Sequence, residues 1–387
     1  MVKPAIWFWQ RIVSPHMAGL AGALARQGCT VVYVAEQLMS ADRAQQGWTS
    51  PDLGMARLEL APTAPAVRAL AAAAPVDAIH LCQGIRSNGL VGEAQRTLAA
   101  HGRRQWVVME TVEDAGWRGV FKRLEYRRLF MQWRGRIEGV FATGFRTPAW
   151  VVRRGMPADR VFPFAYFLPD AMQPAGDRSA EAGGPFRFVF VGRLIELKRV
   201  DLLISALATL KRNDVELVVI GSGPQESELK SFAEKTWPGR VRWLGRLPLG
   251  EVPKAMARAD CLVLPSRHDG WGAVVSEALM EGIPAICSDS CGSADVVRAS
   301  GVGGVFASGD LSSLVRALDS VIVAGKPKAQ DRLRQAEWAR CLGAEAGAGY
   351  LRAILQSSGD AGSRPAPPWE RGFQYRVPYI QEAATWQ

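Results

Sequence analysis

Two cations and two carboxylates mark where this chain can do chemistry. Arg193 and Lys198 follow a hydrophobic run in FVFVGRLIELKR, and Asp269 and Glu277 stand eight positions apart in RHDGWGAVVSEAL. Arginine offers a planar fork of donors and lysine a compact mobile charge, which together suit the non-bridging oxygens of a diphosphate. A carboxylate in the first turns of a helix can accept hydrogen bonds from vicinal hydroxyls such as those of a ribose. One on the preceding loop reaches farther, toward a sugar beyond the diphosphate. Between them Gly270, Trp271, Gly272 and Ala273 form a turn whose amides can serve a phosphate at a helix N-terminus. Plainer readings exist for each: a solvated basic loop for the cations, and a helix-solvating acid for Glu277.

These side chains need elements to hold them. Residues 188–191 are apolar, aromatic and β-branched, the pattern of a strand buried on both faces of a parallel sheet. The chain then leaves the sheet at Gly192, and ligands of open α/β sheets collect at such carboxyl ends. VELVVIGSGPQESELKSFAE adds a strand at 217–220, a turn from Gly221 to Pro224, and a helix from about Gln225. Glycine there lets backbone approach a ligand closely, although most βα turns of this kind are merely turns. VRWLGRL gives a short strand ending at Gly245-Arg246, and ADCLVLPSRHDGWG a strand at 262–264 that runs into the Asp269 loop. Such a succession is a series of βα units.

The order GRL…K, GSGP, LG, PS…D-x7-E-A, GIP and G-x2-D resembles the C-terminal half of the retaining GT-B glycosyltransferases of family 4, closely from Phe186 to about Leu318 and loosely in the N-terminal half. The resemblance implies an α/β fold of GT-B type, with two Rossmann-like domains whose parallel sheets face across an inter-domain crevice. It implies that Arg193 and Lys198 hold the donor diphosphate, that Glu277 holds the ribose, and that the acid at position 269 contacts the transferred sugar. The base falls to backbone groups around the Gly221 to Arg246 loops. The family carries two glutamates in an E-x7-E motif. Here the first is Asp269, one methylene shorter, and Asp295 stands where glutamate is usual.

Length and composition agree with two domains. The chain has 387 residues, 48% of them hydrophobic, enough for two cores. No apolar run approaches the ~20 residues of a spanning helix, and MVKPAIWFWQRIVSPH lacks the core and cleavage site of a signal peptide, so the expectation is a cytoplasmic protein. The six cysteines are scattered, several within apolar strands, which argues for reduced thiols and against a metal or redox centre.

In the N-terminal half, strand-like runs at 5–9, 30–35, 77–81, 105–109 and 139–143 alternate with helical segments such as MAGLAGALARQG and VGEAQRTLAAHG, the signature of a second parallel sheet. We expect an N-terminal domain over 1–167, a linker over 168–185, a C-terminal domain over 186–356, and a tail over 357–387 in which residues 369–379 cross back onto the N-terminal domain, as the family implies. Ser14-Pro15-His16-Met17 pairs a cap-competent serine with proline at the first helical position, so a helix begins there. It resembles the family's N-terminal phosphate loop, with Gly19 the nearest match to its glycines. His16 is placed to polarise a phosphate or an acceptor hydroxyl. Glu110, at a strand end where many relatives show histidine, is placed to orient acceptor or sugar hydroxyls, against the alternative of an ordinary surface acid. His80 reads as a packed strand residue and His101 as a helix-terminal surface residue.

The net charge of +10 is concentrated: from 118 to 136 seven basic residues face one acid, +6 in nineteen positions. At about 100° per residue this segment carries two apolar stripes on opposite sides, Trp117, Val120, Phe121, Leu124 and Met131 on one, Tyr126, Leu129, Phe130, Trp133 and Ile137 on the other. Docking on a domain needs one stripe. We expect the second, with Tyr126, Phe130 and Trp133 flanked by Arg127 and Arg128, to enter an anionic membrane surface; a fully buried helix or a subunit interface are the alternatives. No nucleic-acid motif is present.

The sequence therefore points to a glycosyltransferase acting on the inner face of a membrane, moving a sugar with retention from a nucleotide diphosphate donor to a lipid-linked or surface-polysaccharide acceptor, with no cofactor and no metal required. The leading alternative from another class is a catalytically silent nucleotide-sugar-binding protein. A nicotinamide oxidoreductase is more distant, since no G-x-G-x-x-G follows the first strand.

Overall fold

Hydrophobic runs and glycine turns alternate along the chain, and in the computed structural model they build two parallel sheets. Residues 5–40, 50–169, 184–248, 250–357 and 364–370 are described. The first sheet is made by β1 (Ile6–Ile12), β2 (Val31–Gln37), β3 (Arg57–Leu60), β4 (Ile79–Gln83), β5 (Arg104–Glu110), β6 (Gly139–Thr143) and β7 (Val161–Phe164) in the order β3-β2-β1-β4-β5-β6-β7. Every pairing in it is parallel. Its helices are α1 (Pro15–Arg26), α2 (Ala64–Ala73), α3 (Val91–Ala100), α4 (Gly116–Trp133) and α5 (Thr147–Val152).

The second sheet holds β8 (Phe186–Val191), β9 (Val215–Ile220), β10 (Val241–Gly245), β11 (Cys261–Leu264), β12 (Ala285–Ser288) and β13 (Gly303–Phe306), in the order β10-β9-β8-β11-β12-β13, again all parallel. Around it lie α6 (Val200–Thr209), α7 (Glu226–Thr236), α8 (Val252–Met256), α9 (Ala273–Met280), α10 (Ala294–Ser300), α11 (Leu311–Ala324) and α12 (Ala329–Ala339). Its central strands are buried on both faces: Phe188, Val189, Leu217, Val219, Leu262 and Val263 are fully enclosed. That explains their unbroken apolar runs. The edge strands β3, RLEL, and β10, VRWLG, alternate and are only partly buried or exposed, so they lack the unbroken apolar run of the central strands.

The domain boundaries differ from expectation in one respect. The C-terminal unit closes at Cys341, and Leu342–Pro368 belongs to the N-terminal unit, so the domain expected over 186–356 ends early. The reason is the helix α13 (Ala344–Ser357), whose Glu345 accepts hydrogen bonds from Arg26 at 2.7 Å and Gln27 at 2.9 Å, and whose Tyr350 donates to the Pro163 carbonyl at 3.0 Å. The return expected of 369–379 is thus made earlier in the chain. Trp369 groups instead with the C-terminal unit, its ring 6.3 Å from that of Trp271, while 371–379 and most of the expected linker lie outside the described residues.

The second correction concerns α4. Tyr126, Phe130 and Trp133, expected to face lipid, are buried with Val107, Val140, Ile137 and Trp150 in the core of the N-terminal unit. Gly119 on the same face sits so close to the Asp114 carbonyl that a Cβ would overlap it, so the segment leading into the helix folds back against its first turn. The exposed stripe is the other one: Trp117, Val120, Phe121, Leu124 and Met131. Periodicity yields two apolar stripes of similar chemistry and no means to rank them; the one that is covered is the one that meets the apolar side chains of the sheet and Trp150.

Candidate functional site

In the second sheet β8 is followed in sequence by β9 on one side and flanked by β11 on the other, so the loops leaving β8 and β11 meet at a topological switch point, where ligands of open α/β sheets bind. The two loops are tied together. The Arg267 amide donates to the Leu197 carbonyl at 2.8 Å, and Lys198 Nζ lies 2.5 Å from Asp269 Oδ2, with both side chains mostly buried. The residues expected at diphosphate and sugar are therefore neighbours, one cation and one anion at a partly desolvated strand end. Arg193 is exposed in the first of these loops, just past Gly192.

Glycines set the closeness of the loops. A Cβ on Gly221, whose φ is +138°, would stand 1.9 Å from the Gly192 carbonyl, and one on Gly223 2.2 Å from that of Leu194. Only bare backbone fits there, so the loop after β9 rests directly on the loop after β8, with the Leu194 amide donating to the Ser222 carbonyl at 3.0 Å. Arg246, at the end of β10, donates from Nη2 to Ser222 Oγ at 3.2 Å, which brings it to the same turn.

Sequence reasoning did not select the partner of the Asp269 loop. Residues 290–293 run parallel to it: Asp269 bridges Cys291, the Gly292 amide donates to the Asp269 carbonyl at 2.9 Å, and the Ser293 amide to that of Trp271 at 2.8 Å. Gly292 is required, since a Cβ would lie 1.9 Å from the Gly270 carbonyl. In the sequence Gly292 appears only as the glycine of the G-x2-D element that ends at Asp295, which does not say what it packs against.

Gly272 caps α9 in the left-handed conformation, φ +84°, so the helix begins at Ala273 with its first amides at the switch point. Trp271 serves differently from expectation. Its ring is buried and its Nε1 donates to Ser276 Oγ at 3.1 Å, so it anchors the turn from beneath and leaves only main-chain groups for a ligand. A large apolar ring beside two glycines is drawn into the core by the area it removes from water. Glu277 sits one turn into α9, half-buried. Burial pushes its carboxyl up to about 7, and the Glu281 carboxylate adds to the shift.

In the N-terminal unit the switch point falls between β1 and β4. The chain leaves β1 through Ser14, whose amide donates to Tyr33 Oη at 3.1 Å, and turns into α1 at Pro15 as the sequence predicts. His16 stacks on Tyr166, ring centroids 4.9 Å apart and planes 14° apart. Glu110 ends β5, two strands from β1, roughly 10 Å away at the usual strand spacing. Gly19 is not in a loop: it lies in the second turn of α1, where a Cβ would meet Pro169 at 3.2 Å, so its smallness serves packing. His80 is buried in β4, Nδ1 accepting from Trp9 Nε1 at 3.0 Å, and burial with nearby Arg103 holds its pKa down to about 4; His101 is exposed at the end of α3. An 880 Å³ cavity opens among Arg103, Arg136 and Glu138, at the strand N-termini, the end of the sheet away from His16 and Glu110.

Residues 175–337 match the family model Glycosyl transferases group 1. Among curated proteins, glycogen synthase of Mycobacterium tuberculosis (strain CDC 1551 / Oshkosh) is 33% identical over 175 residues, 44% of this chain and 39% of that protein. The 2-deoxystreptamine glucosyltransferase of Streptomyces kanamyceticus is 28% identical over 188 residues, 44% of this chain and 48% of the other. The matched segment thus spans less than half the length of these relatives. Solved structures agree over nearly the whole chain: Anabaena Alr3699/HepE in complex with UDP superposes with a TM-score of 0.71 at 16% identity, covering 91% of this chain and 99% of that one. The lipopolysaccharide outer core galactosyltransferase WaaB, in its apo form, gives 0.66 at 17% identity with the same coverage. The two parallel-sheet, Rossmann-like units match the GT-B architecture of these structures.

Proposed function

We propose that the protein transfers a sugar from a nucleotide diphosphate donor to a lipid-linked or surface-polysaccharide acceptor, with retention of anomeric configuration, at the cytoplasmic face of a membrane. The observation that carries the reading is the Lys198–Asp269 pair, 2.5 Å apart at the switch point. Lys198 and Arg193 take the diphosphate, and the amides of Gly272 and Ala273 add donors at the helix N-terminus. The charge that develops on the leaving phosphate is the main electrostatic demand of such a transfer, and preorganised donors meet it without reorganisation. Asp269 takes the transferred sugar and Glu277 the ribose, with Gly221 and Arg246 beside the base. His16 and Glu110, at the strand ends of the other sheet, serve the acceptor side. Retention follows if the acceptor attacks from the face the diphosphate leaves and the departing phosphate takes the acceptor proton, so no carboxylate nucleophile is invoked. HepE was crystallised with UDP and with UDP-glucose, which puts uridine donors first in any trial.

The shorter acid at 269 favours one rival, a protein that binds a nucleotide sugar without turning it over. Donor hydrolysis separates the two: a transferase releases nucleoside diphosphate slowly in the absence of acceptor, and Asp269→Asn slows that release. A binder that leaves every donor intact over many hours contradicts the transferase reading.

A further inference from the structure

Among the described residues, only one of the two apolar stripes on α4 is covered. Opposite the buried Tyr126, Phe130 and Trp133, the side chains of Trp117, Phe121 and Leu124 are 70%, 66% and 59% exposed, and Val120 and Met131 are exposed beside them. At about 3.6 residues per turn these five share one face of the helix. Arg128 projects from the same face, Arg123, Arg127 and Arg134 line one edge, and Arg118 lies on the other, its guanidinium 5.1 Å from the Trp117 ring centroid. The single acid of the segment, Glu125, is bonded to Arg86 at 2.8 Å. A contiguous exposed apolar patch of this kind marks an interaction surface.

We propose that this face docks the protein on an anionic lipid bilayer, with α4 lying in the plane of the headgroups. The aromatic and aliphatic side chains would sit at the acyl boundary and the arginines at the lipid phosphates, whose geometry their forked donors match. The charge selects the occupant. A second copy of the chain would bring two sets of arginines face to face, whereas an anionic surface neutralises them. The inference extends the membrane location proposed above by naming the surface, and it needs neither donor nor acceptor.

The test is co-sedimentation of the full chain with vesicles of equal parts phosphatidylglycerol and phosphatidylcholine, against vesicles of phosphatidylcholine alone. Binding to the anionic vesicles should be at least about tenfold tighter. The triple variant Trp117→Ser, Phe121→Ser, Leu124→Ser should lose at least about tenfold at unchanged melting temperature, and the charge reversal Arg127→Glu, Arg128→Glu a similar amount. No binding by the wild type, equal binding by both variants, or a solution dimer that the triple variant dissolves would each overturn the proposal. Because the vesicles carry no sugar donor or acceptor, failure here leaves the transferase reading standing, and a protein that docks but neither binds nor hydrolyses a donor would sink only the latter.

Discussion

At the scale of single residues, donor binding turns on how Lys198, Asp269 and Glu277 share charge. Lys198 is neutralised by Asp269 at 2.5 Å, so an incoming diphosphate competes with a carboxylate for the same ammonium. Replacing Lys198 with Ala should weaken nucleoside diphosphate binding by roughly 1.5–3 kcal/mol, the worth of a charge-assisted hydrogen bond. Asp269→Asn removes the competitor, so calorimetry should find plain nucleoside diphosphate bound at least as tightly while turnover of the sugar donor falls. Parallel loss of nucleotide affinity in both variants would show that the pair acts as one structural unit. Glu277 makes a second prediction. Its folded-state carboxyl is pushed up to about 7, so the native state holds a proton that the unfolded chain gives up near 4.5. The group's contribution to stability is therefore full below about pH 4.5 and is lost as the pH rises through 7. Wild-type unfolding free energy should fall between pH 5 and pH 8 by on the order of 1–3 kcal/mol more than that of Glu277→Gln, as denaturant titrations at the two pH values can show. A steeper fall in the variant than in the wild type would place the proton elsewhere.

At the scale of elements, the switch point depends on loops that touch through bare backbone. Gly292→Ala puts a methyl group 1.9 Å from the Gly270 carbonyl, and since the loop cannot yield without moving Asp269, the substitution should cost roughly 1–3 kcal/mol and weaken donor binding with it. An unchanged melting temperature with unchanged binding would mean that the 269–272 turn is not held by its neighbour. The helix α4 offers a cleaner contrast because its two faces are chemically alike and structurally opposite. Phe130→Ala in the core should cost about 3–5 kcal/mol, whereas Trp117→Ser on the exposed face should change stability by no more than about 0.5 kcal/mol. Similar costs for both would require that Trp117 be covered in the folded protein.

At the scale of the whole molecule, how much was legible in the sequence depended on whether the signal was local. Buried parallel strands such as 188–191 and 217–220 were readable because enclosure on both faces leaves an unbroken apolar run. The start of α9 at Ala273 and of α1 at Pro15 were readable from glycine and proline, whose backbone limits are intrinsic. Arg193, Lys198 and Asp269 were readable because they lie in loops that follow strands, and Glu277 because it falls early in the helix that follows the Asp269 loop. What escaped was set by tertiary competition: which stripe of α4 is covered, whether Trp271 faces a ligand or the core, where residue 292 docks, and that the chain returns to the N-terminal unit through Leu342–Pro368. None of these is decided by a residue's own neighbours in sequence.

The central claim is that a nucleotide sugar is held at the β8–β11 switch point by Lys198 and Glu277. It is tested most directly by a thermal-shift screen of UDP-, GDP-, ADP- and TDP-sugars on the wild type and on the double variant Lys198→Ala, Glu277→Gln. A ligand present at about 100 times its Kd adds about 2.7 kcal/mol of stability. One of these donors should raise the wild-type melting temperature by that stabilisation and leave the double variant unmoved. A screen in which no donor shifts the wild type, or in which the double variant shifts as far, would contradict it.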